Sequence, residues 1–293
     1  MCGQQDQTYK VCCPEDNHDL SSHRNFHLLP LTTCGFILHG GRITNGDTAS
    51  PREFPWMALI AYKTEDENEF KCGGSLITRN YVLTAAHCVD DKSVLGVRLG
   101  EYDISLEHEC DDHQNCEPPV QDIIIDKVII HKNYNPSTYI NDIALVRLLV
   151  PANIENANIK PICLPTGDLL KTNLFGKYLT VTGWGTTESG HKSMILKKVS
   201  VPVVRLSACR RAYGKQILHP KKQICAGGHE GKDSCSGDSG GPLQYIAATG
   251  GSQRYVQDGI VSYGPKQCGL EDWPGIYTNV KEYMSWILDN IGP

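Results

Sequence analysis

"CSGDSGGP", Cys235 to Pro242, is the stretch on which the reading of this chain turns. Ser239 stands among Gly237, Gly240 and Gly241, which have no side chains to crowd its hydroxyl, and the backbone N–H groups of Gly237 and Ser239 can point into the same space. A serine so placed invites a base. His87 in "TAAHC" is the candidate, and Asp142 in "NDIALVRL" can orient an imidazole and stabilise its charged form. Singly, each piece has an ordinary explanation. A histidine beside a cysteine is usually structural, an aspartate ahead of an apolar strand is usually a cap, and glycine-serine strings recur by chance.

Their order along the chain separates the possibilities. His, Asp, Ser matches one arrangement of the hydrolytic triad, whereas subtilisin-like enzymes run Asp, His, Ser and α/β-hydrolases run Ser, Asp, His. The texture beyond Ile43 agrees with an all-β barrel or sandwich: short apolar runs such as "WMALIAY", "YVLTAA", "KVIIH", "DIALVRL", "YLTVTGWG" and "GIVSYG", divided by Gly, Pro, Asn and Asp. One helix is predicted over Asn279 to Asn290, where Val280, Tyr283, Met284, Ile287 and Leu288 recur at helical spacing and Gly292 follows as a stop. There is no internal repeat.

The totals bound the rest. At 293 residues the chain can bury one large core and carry a short appendage. A net charge of −5 with no basic run argues against nucleic acid or an acidic membrane surface as the main partner, and no apolar stretch reaches the ~20 residues that span a bilayer. Met1-Cys2-Gly3-Gln4 lacks the basic start and apolar core of a secretory signal. Thirteen cysteines nevertheless point to an oxidising compartment outside the cytosol. The two facts agree if the chain begins inside a longer secreted precursor, and the odd cysteine count fits a partner lost with the missing part. Residues 1–14 are cysteine-dense and end in Cys12-Cys13-Pro14, adjacent cysteines that each need a distant partner. Residues 15–42 are polar, His-bearing and without a period, which reads as a linker.

With "RITNG", "TAAHC", "NDIAL", "GWG" at 183–185, "GDSGGP" and "GIYTNV" in order, residues 43–293 resemble the chymotrypsin family of serine proteases. The resemblance implies two six-stranded antiparallel β-barrels with a C-terminal helix and the catalytic groups in the cleft between them. Ser239 would attack the carbonyl, His87 would move the proton, Asp142 would orient it, and the Gly237 and Ser239 N–H groups would form the oxyanion hole. Asp233, six residues before the serine, would lie at the base of the primary pocket, with Ser262, Gly264 and Gly275 as further substrate-binding positions. A buried carboxylate there demands a cation, so Arg or Lys should precede the cut bond.

The same resemblance gives meaning to "GGRITNGD", residues 40–47, an exposed turn on composition alone. Cutting after Arg42 would free the α-amino group of Ile43, mostly protonated near neutral pH. That amine would pair with Asp238, beside the nucleophile, where an unpaired buried carboxylate is costly. An upstream Arg-cutting protease would supply the cut.

Family matching pairs Cys72 with Cys88, Cys209 with Cys225, Cys235 with Cys268, and Cys34 with Cys163, the last tethering the cut N-terminal piece. Cys110 and Cys116, with His108 and His113 in "EHECDDHQNCE", offer a zinc set or a local disulfide, and an oxidising compartment favours the disulfide. Glu101, Asp103, Glu109 and the Leu106 carbonyl offer hard oxygens for a structural calcium, as the corresponding loop does in some family members; a solvated acidic loop is the plain alternative. His18, His23 and His27 read as solvated residues. Cys2, Cys12 and Cys13 form "C-x9-CC", which resembles the end of a clip domain, the disulfide module of arthropod cascade proteases, here without its first three cysteines.

The implied function is a secreted zymogen of a trypsin-like endopeptidase acting in an immune or developmental proteolytic cascade. Its partners would be protein substrates cut after Arg or Lys, an upstream protease and a serpin-type inhibitor. A digestive trypsin has no evident use for Cys34 or the CC pair. A silent homologue that only binds partners usually loses its serine, whereas Ser239, His87 and Asp142 are all present.

Overall fold

The computed structural model describes residues 19–37, 48–64, 68–107, 110, 116–187, 190–214, 218–229, 234–265 and 268–293. Among these residues the apolar runs of the sequence become twelve strands in two closed antiparallel barrels. The first holds β1 (Met57–Lys63), β2 (Asn68–Thr78), β3 (Tyr81–Thr84), β4 (Val94–Leu99), β5 (Gln121–Ile130) and β6 (Ala144–Leu148), joined in the order β1-β2-β3-β6-β5-β4. The second holds β7 (Tyr178–Gly183), β8 (Lys197–Val204), β9 (Gln223–Ala226), β10 (Pro242–Thr249), β11 (Ser252–Tyr263) and β12 (Gly275–Asn279), in the order β10-β11-β12-β9-β8-β7. Read from β7, that ring repeats the plan of the first. Closure leaves no free sheet edge, and inward side chains fill each ring. Ile60, Leu83 and Leu145 are fully buried in one; Leu179, Val201, Leu243 and Tyr277 are fully buried in the other.

A polar seam joins the barrels. Trp56 Nε1 donates to Gln244 Oε1 at 2.8 Å, Gln244 Nε2 donates to Thr182 Oγ1 at 3.1 Å, and the Ser75 hydroxyl donates to Gln257. All are buried, so each of these groups needs its partner. Beside the seam, Lys198 of β8 lies 2.7 Å from Glu53, with both side chains less than a tenth exposed. Removing one partner strands the other charge, so Lys198→Met should cost about 3–5 kcal/mol, read as a lowered urea midpoint. An unchanged midpoint would contradict that assignment.

Residues 19–37, read as linker, are docked. Two 3-10 turns, Leu20–Ser22 and Phe26–Leu28, bury Leu20 and Leu29 against the first core cluster. Asn25 Nδ2 donates to the carbonyls of Leu288 and Ile291, and the Gly35 carbonyl accepts from Tyr255 N–H at 2.8 Å. His23 pairs with Asp289 at 3.1 Å, and His27 Nδ1 sits 2.8 Å from the Arg24 carbonyl. At the other end, Val280–Tyr283 forms a 3-10 turn that runs into α-helix Met284–Asn290. The predicted helix therefore starts tighter than expected. Asn279 makes no side-chain cap bond: its Nδ2 donates to the Lys221 carbonyl and its Oδ1 accepts nothing among the described residues, and an uncapped start favours the tighter turn. Two further helices carried no sequence signal: α1 (Ala86–Val89) and α2 (Leu206–Tyr213), the latter with Cys209 as its one buried residue. Among the described residues no helix is long and apolar enough to cross a membrane.

Candidate active site

Strand β3 delivers the histidine. Its last residue, Thr84, donates from Oγ1 to the Gly73 carbonyl at 2.8 Å, and α1 then turns His87 inward. The Cys72–Cys88 disulfide ties that helix to β2. Because both sulfurs are bonded to each other, their closeness to His87 is not a thiolate metal site.

Asp142, in the turn before β6, has no exposed surface. Its Oδ1 accepts the His87 backbone N–H at 2.9 Å and its Oδ2 lies 2.8 Å from His87 Nδ1. The Ser262 hydroxyl also donates to Oδ2, and Thr278 Oγ1 donates to the Asp142 carbonyl at 2.7 Å. A buried carboxylate with these partners accepts from Nδ1–H, which leaves Nε2 as the basic nitrogen. Ser262 was expected among the substrate-binding positions; here its hydroxyl holds the aspartate. The preceding residue, Asn141, has φ 58° and is fixed by Lys222 Nζ at 2.7 Å and the Tyr283 hydroxyl at 3.1 Å. Tyr139, at φ 54°, stands edge-on to the His87 ring, 5.6 Å between centroids.

Ser239 comes from the second barrel, on the loop that enters β10. Its carbonyl accepts from Gly73 N–H at 2.8 Å, which sets the loop against the strand bearing Cys72. No hydrogen bond joins its hydroxyl to His87; such contacts commonly tighten only when substrate binds. The N–H of Asp238 is bonded to the Cys235 carbonyl at 3.0 Å. Those of Gly237 and Ser239 on either side have no acceptor among the described residues, as two oxyanion donors require. Gly237 has φ 103°, and a Cβ there would stand 2.9 Å from Gly185 Cα, so both the backbone angle and the space demand glycine.

The Asp238 carboxylate bridges the start of this loop and the "GWG" segment. It accepts from Gly185 N–H at 2.9 Å and Cys235 N–H at 2.8 Å. A Cβ on Gly183 or Gly185 would come within 2.2 or 2.6 Å of it, which explains the "GWG" string. Part of the residue's surface remains accessible, yet crowding of the carboxylate by protein atoms raises its pKa to about 6, against the two amide bonds that lower it. Among the described residues no cation stands within ion-pair distance.

Gly264 and Gly275 face one another: a Cβ on the former would meet Gly275 Cα at 3.9 Å. Asp233, Arg42, Ile43 and Glu109 lie outside the described residues, as do Cys2, Cys12, Cys13, His18, His108 and His113. Disulfides join Cys34 to Cys163, Cys110 to Cys116, Cys209 to Cys225 and Cys235 to Cys268. On the loop after β4, the buried carboxylates Glu101 and Asp103 sit close in sequence. Glu101 accepts from Tyr102 N–H at 3.0 Å and has only a 3.3 Å contact to Arg98, whose main partner is Asp122 at 2.8 Å. A buried carboxylate so weakly paired, with Asp103 nearby, suits a hard cation.

Two barrels with a His-Asp pair on one and a serine between oriented amides on the other define a serine endopeptidase. The sequence matches the trypsin family over residues 43–287, and the chain belongs to it. Among curated proteins it is 43% identical to melanization protease 1 of Drosophila melanogaster over 278 residues, covering 90% of this chain and 69% of that protein. It is also 43% identical to phenoloxidase-activating factor 3 of Holotrichia diomphalia, covering 97% of this chain and 80% of that one. Among solved structures, the Drosophila Grass clip serine protease of the Toll pathway superimposes with a TM-score of 0.79 at 40% identity, covering 92% of this chain and 76% of that one.

Proposed function

We propose that this endopeptidase is made as a secreted zymogen, is activated by cleavage after Arg42, and then cuts protein substrates after Arg or Lys in an extracellular cascade. The observation that carries the reading is Asp238: a carboxylate one residue from the nucleophile, whose burial pushes its pKa up to about 6 and which is held by two amides and, among the described residues, by no cation. Only a new positive charge satisfies it, and the α-amino group of Ile43 is the one that cleavage creates. In the active form, His87 Nε2 takes the Ser239 proton, the hydroxyl oxygen attacks the carbonyl, and the Gly237 and Ser239 amides hold the oxyanion. Asp233 is the residue that would pair with the substrate cation.

The names of the relatives, which speak of melanization, phenoloxidase activation and the Toll pathway, support a place in such a cascade. A serpin-type inhibitor is the expected regulator. The Cys34–Cys163 bond would keep the N-terminal piece attached after the cut. The test is a comparison of chromogenic peptides ending in Arg, Lys or Phe before and after limited cleavage at Arg42. Turnover of the Arg and Lys peptides only after cleavage is expected. Equal turnover before cleavage, or a preference for Phe, would overturn the reading.

Calcium belongs to the same proposal, held by Glu101, Asp103, the Leu106 carbonyl and Glu109. At millimolar levels it should stabilise the folded chain by about 1–3 kcal/mol, an upward Tm shift of roughly 3–8 °C. EDTA should reverse the shift and Glu101→Gln should abolish it. A Tm indifferent to calcium would remove the ion from the account.

A further inference from the structure

Between Ser189 and His229 the sequence has nine lysines and arginines and no aspartate or glutamate, in a chain whose net charge is −5. Six of them stand in the adjacent pairs Lys197-Lys198, Arg210-Arg211 and Lys221-Lys222; Lys198 is buried against Glu53, and the fold brings the other two pairs together. Arg210 and Arg211 are exposed in the last turn of α2, where they also complement the negative end of the helix. The Arg210 guanidinium donates to the Leu218 carbonyl at 3.4 Å, bringing the helix against the turn that carries exposed His219 and Lys221. Three other arginines stand against carboxylates, Arg52 with Glu117, Arg98 with Asp122 and Arg147 with Asp126, while Arg205 lies over Phe175 and Arg254 over Phe36. Among the described residues, Arg210 and Arg211 have no such partner.

This basic face adjoins the reaction site. Tyr213, on α2, packs against Tyr263 with centroids 5.7 Å apart; Tyr263 lies 5.1 Å from Tyr139, which meets His87. An aromatic row thus runs from the imidazole to the helix. From the same turn as Lys221, Lys222 reaches Asn141, the neighbour of Asp142.

We propose that the Arg210–Arg211 face of α2, with His219 and Lys221, is an exosite that docks an acidic segment of the protein substrate on the N-terminal side of the cut bond. The proposal rests on the Arg/Lys-cutting reading above. In that reading the residue before the cut sits beside Gly264 and Gly275, next to Tyr263, so the chain preceding it leaves along the aromatic row toward α2. The leaving segment departs on the opposite side, past Cys72 and Gly237. A short acidic peptide matches a face of one eight-residue helix and one turn. A long sulfated polysaccharide would extend beyond it over a chain of net negative charge and be repelled there.

The test uses the full chain, cleaved at Arg42, and one Arg-containing fluorogenic peptide in four forms: unextended, with a Glu- and Asp-rich extension at its N-terminus, with the same extension at its C-terminus, and with a neutral N-terminal extension. The N-terminal acidic form should show a KM about fivefold to tenfold lower at low salt with kcat unchanged, because a second contact raises the effective concentration. That gain should vanish at roughly 0.5 M salt, where screening is strong. It should vanish too in Arg210→Ala/Arg211→Ala, which should cut the unextended peptide within twofold of wild type, and survive in Arg211→Lys. No gain, a gain only from the C-terminal extension, or a gain kept by the double variant would overturn the proposal. So would dextran sulfate binding at this face with no effect of the acidic peptide. If the cleaved wild-type chain fails to cut even the unextended peptide, the activation and specificity reading fails first and the exosite falls with it.

Discussion

A cleaved chain carrying Ser239→Ala is expected to lose roughly 10⁴- to 10⁶-fold in kcat on an Arg peptide, with substrate binding little changed. His87→Ala should cost as much, and the double variant scarcely more, since the two act as one unit. Asp142→Asn should cost about 10⁴-fold for a different reason. The native carboxylate accepts from Nδ1 at 2.8 Å and from the His87 backbone N–H at 2.9 Å. An amide nitrogen facing Nδ1 would donate, forcing the imidazole proton onto Nε2, which then cannot accept the Ser239 hydroxyl proton. The measurement is active-site titration followed by kcat on a common peptide. Losses of tenfold or less for any of the three would contradict the assignment.

Asp238→Asn should change the pH dependence of stability in the uncleaved chain and the activity of the cleaved one. In the uncleaved chain the folded-state pKa is raised from 3.8 to about 6, so the folded state holds this proton more tightly than the unfolded state. Its stability therefore falls as pH rises between those values and stays lower above them. The amide nitrogen of asparagine must face the Gly185 or the Cys235 N–H, a cost present at every pH, whereas removing the charge should favour the uncleaved variant at pH 7 over pH 4 by about 1–3 kcal/mol relative to wild type, the lower figure allowing for the solvent that still reaches the residue. In the cleaved chain the substitution deletes half of an ion pair and strands the Ile43 amine. Activity should drop by roughly 10²- to 10³-fold as the oxyanion loop loses its anchor. Paired urea melts at the two pH values and kinetics after cleavage read both effects. A stability change that is the same at both pH values, or an active cleaved chain, would contradict the account.

Where side chains sit by local pattern, the sequence was legible. The triad order announced two barrels, and the alternation of short apolar runs with turn residues marked many of their strands. The seam between the barrels was not legible, because Gln244, Gln257 and Ser75 look like surface residues until two sheets bury them together. Helix α2 escaped notice for want of length: its apolar face is real but eight residues with one fully buried position are too few to tell it from chance. Residues 19–37 read as linker because their anchors, Leu20, Asn25, Leu29 and Cys34, are single points whose partners lie far along the chain. Ser262 and Thr278 were visible as residues but not as holders of Asp142, since each comes from a different strand. "GWG" was legible only as a motif of the resembled family; its reason, the Asp238 carboxylate that a Cβ on either glycine would strike, needed the structure.

The most direct measurement is the structure of the chain after cleavage at Arg42, with its activity recorded on the same sample. The account predicts the Ile43 nitrogen within ion-pair distance of an Asp238 carboxylate oxygen, with the Gly237 and Ser239 amides converging beside the serine hydroxyl. A fully active sample whose Ile43 terminus lies in solvent, with Asp238 still held only by Gly185 and Cys235, would contradict it.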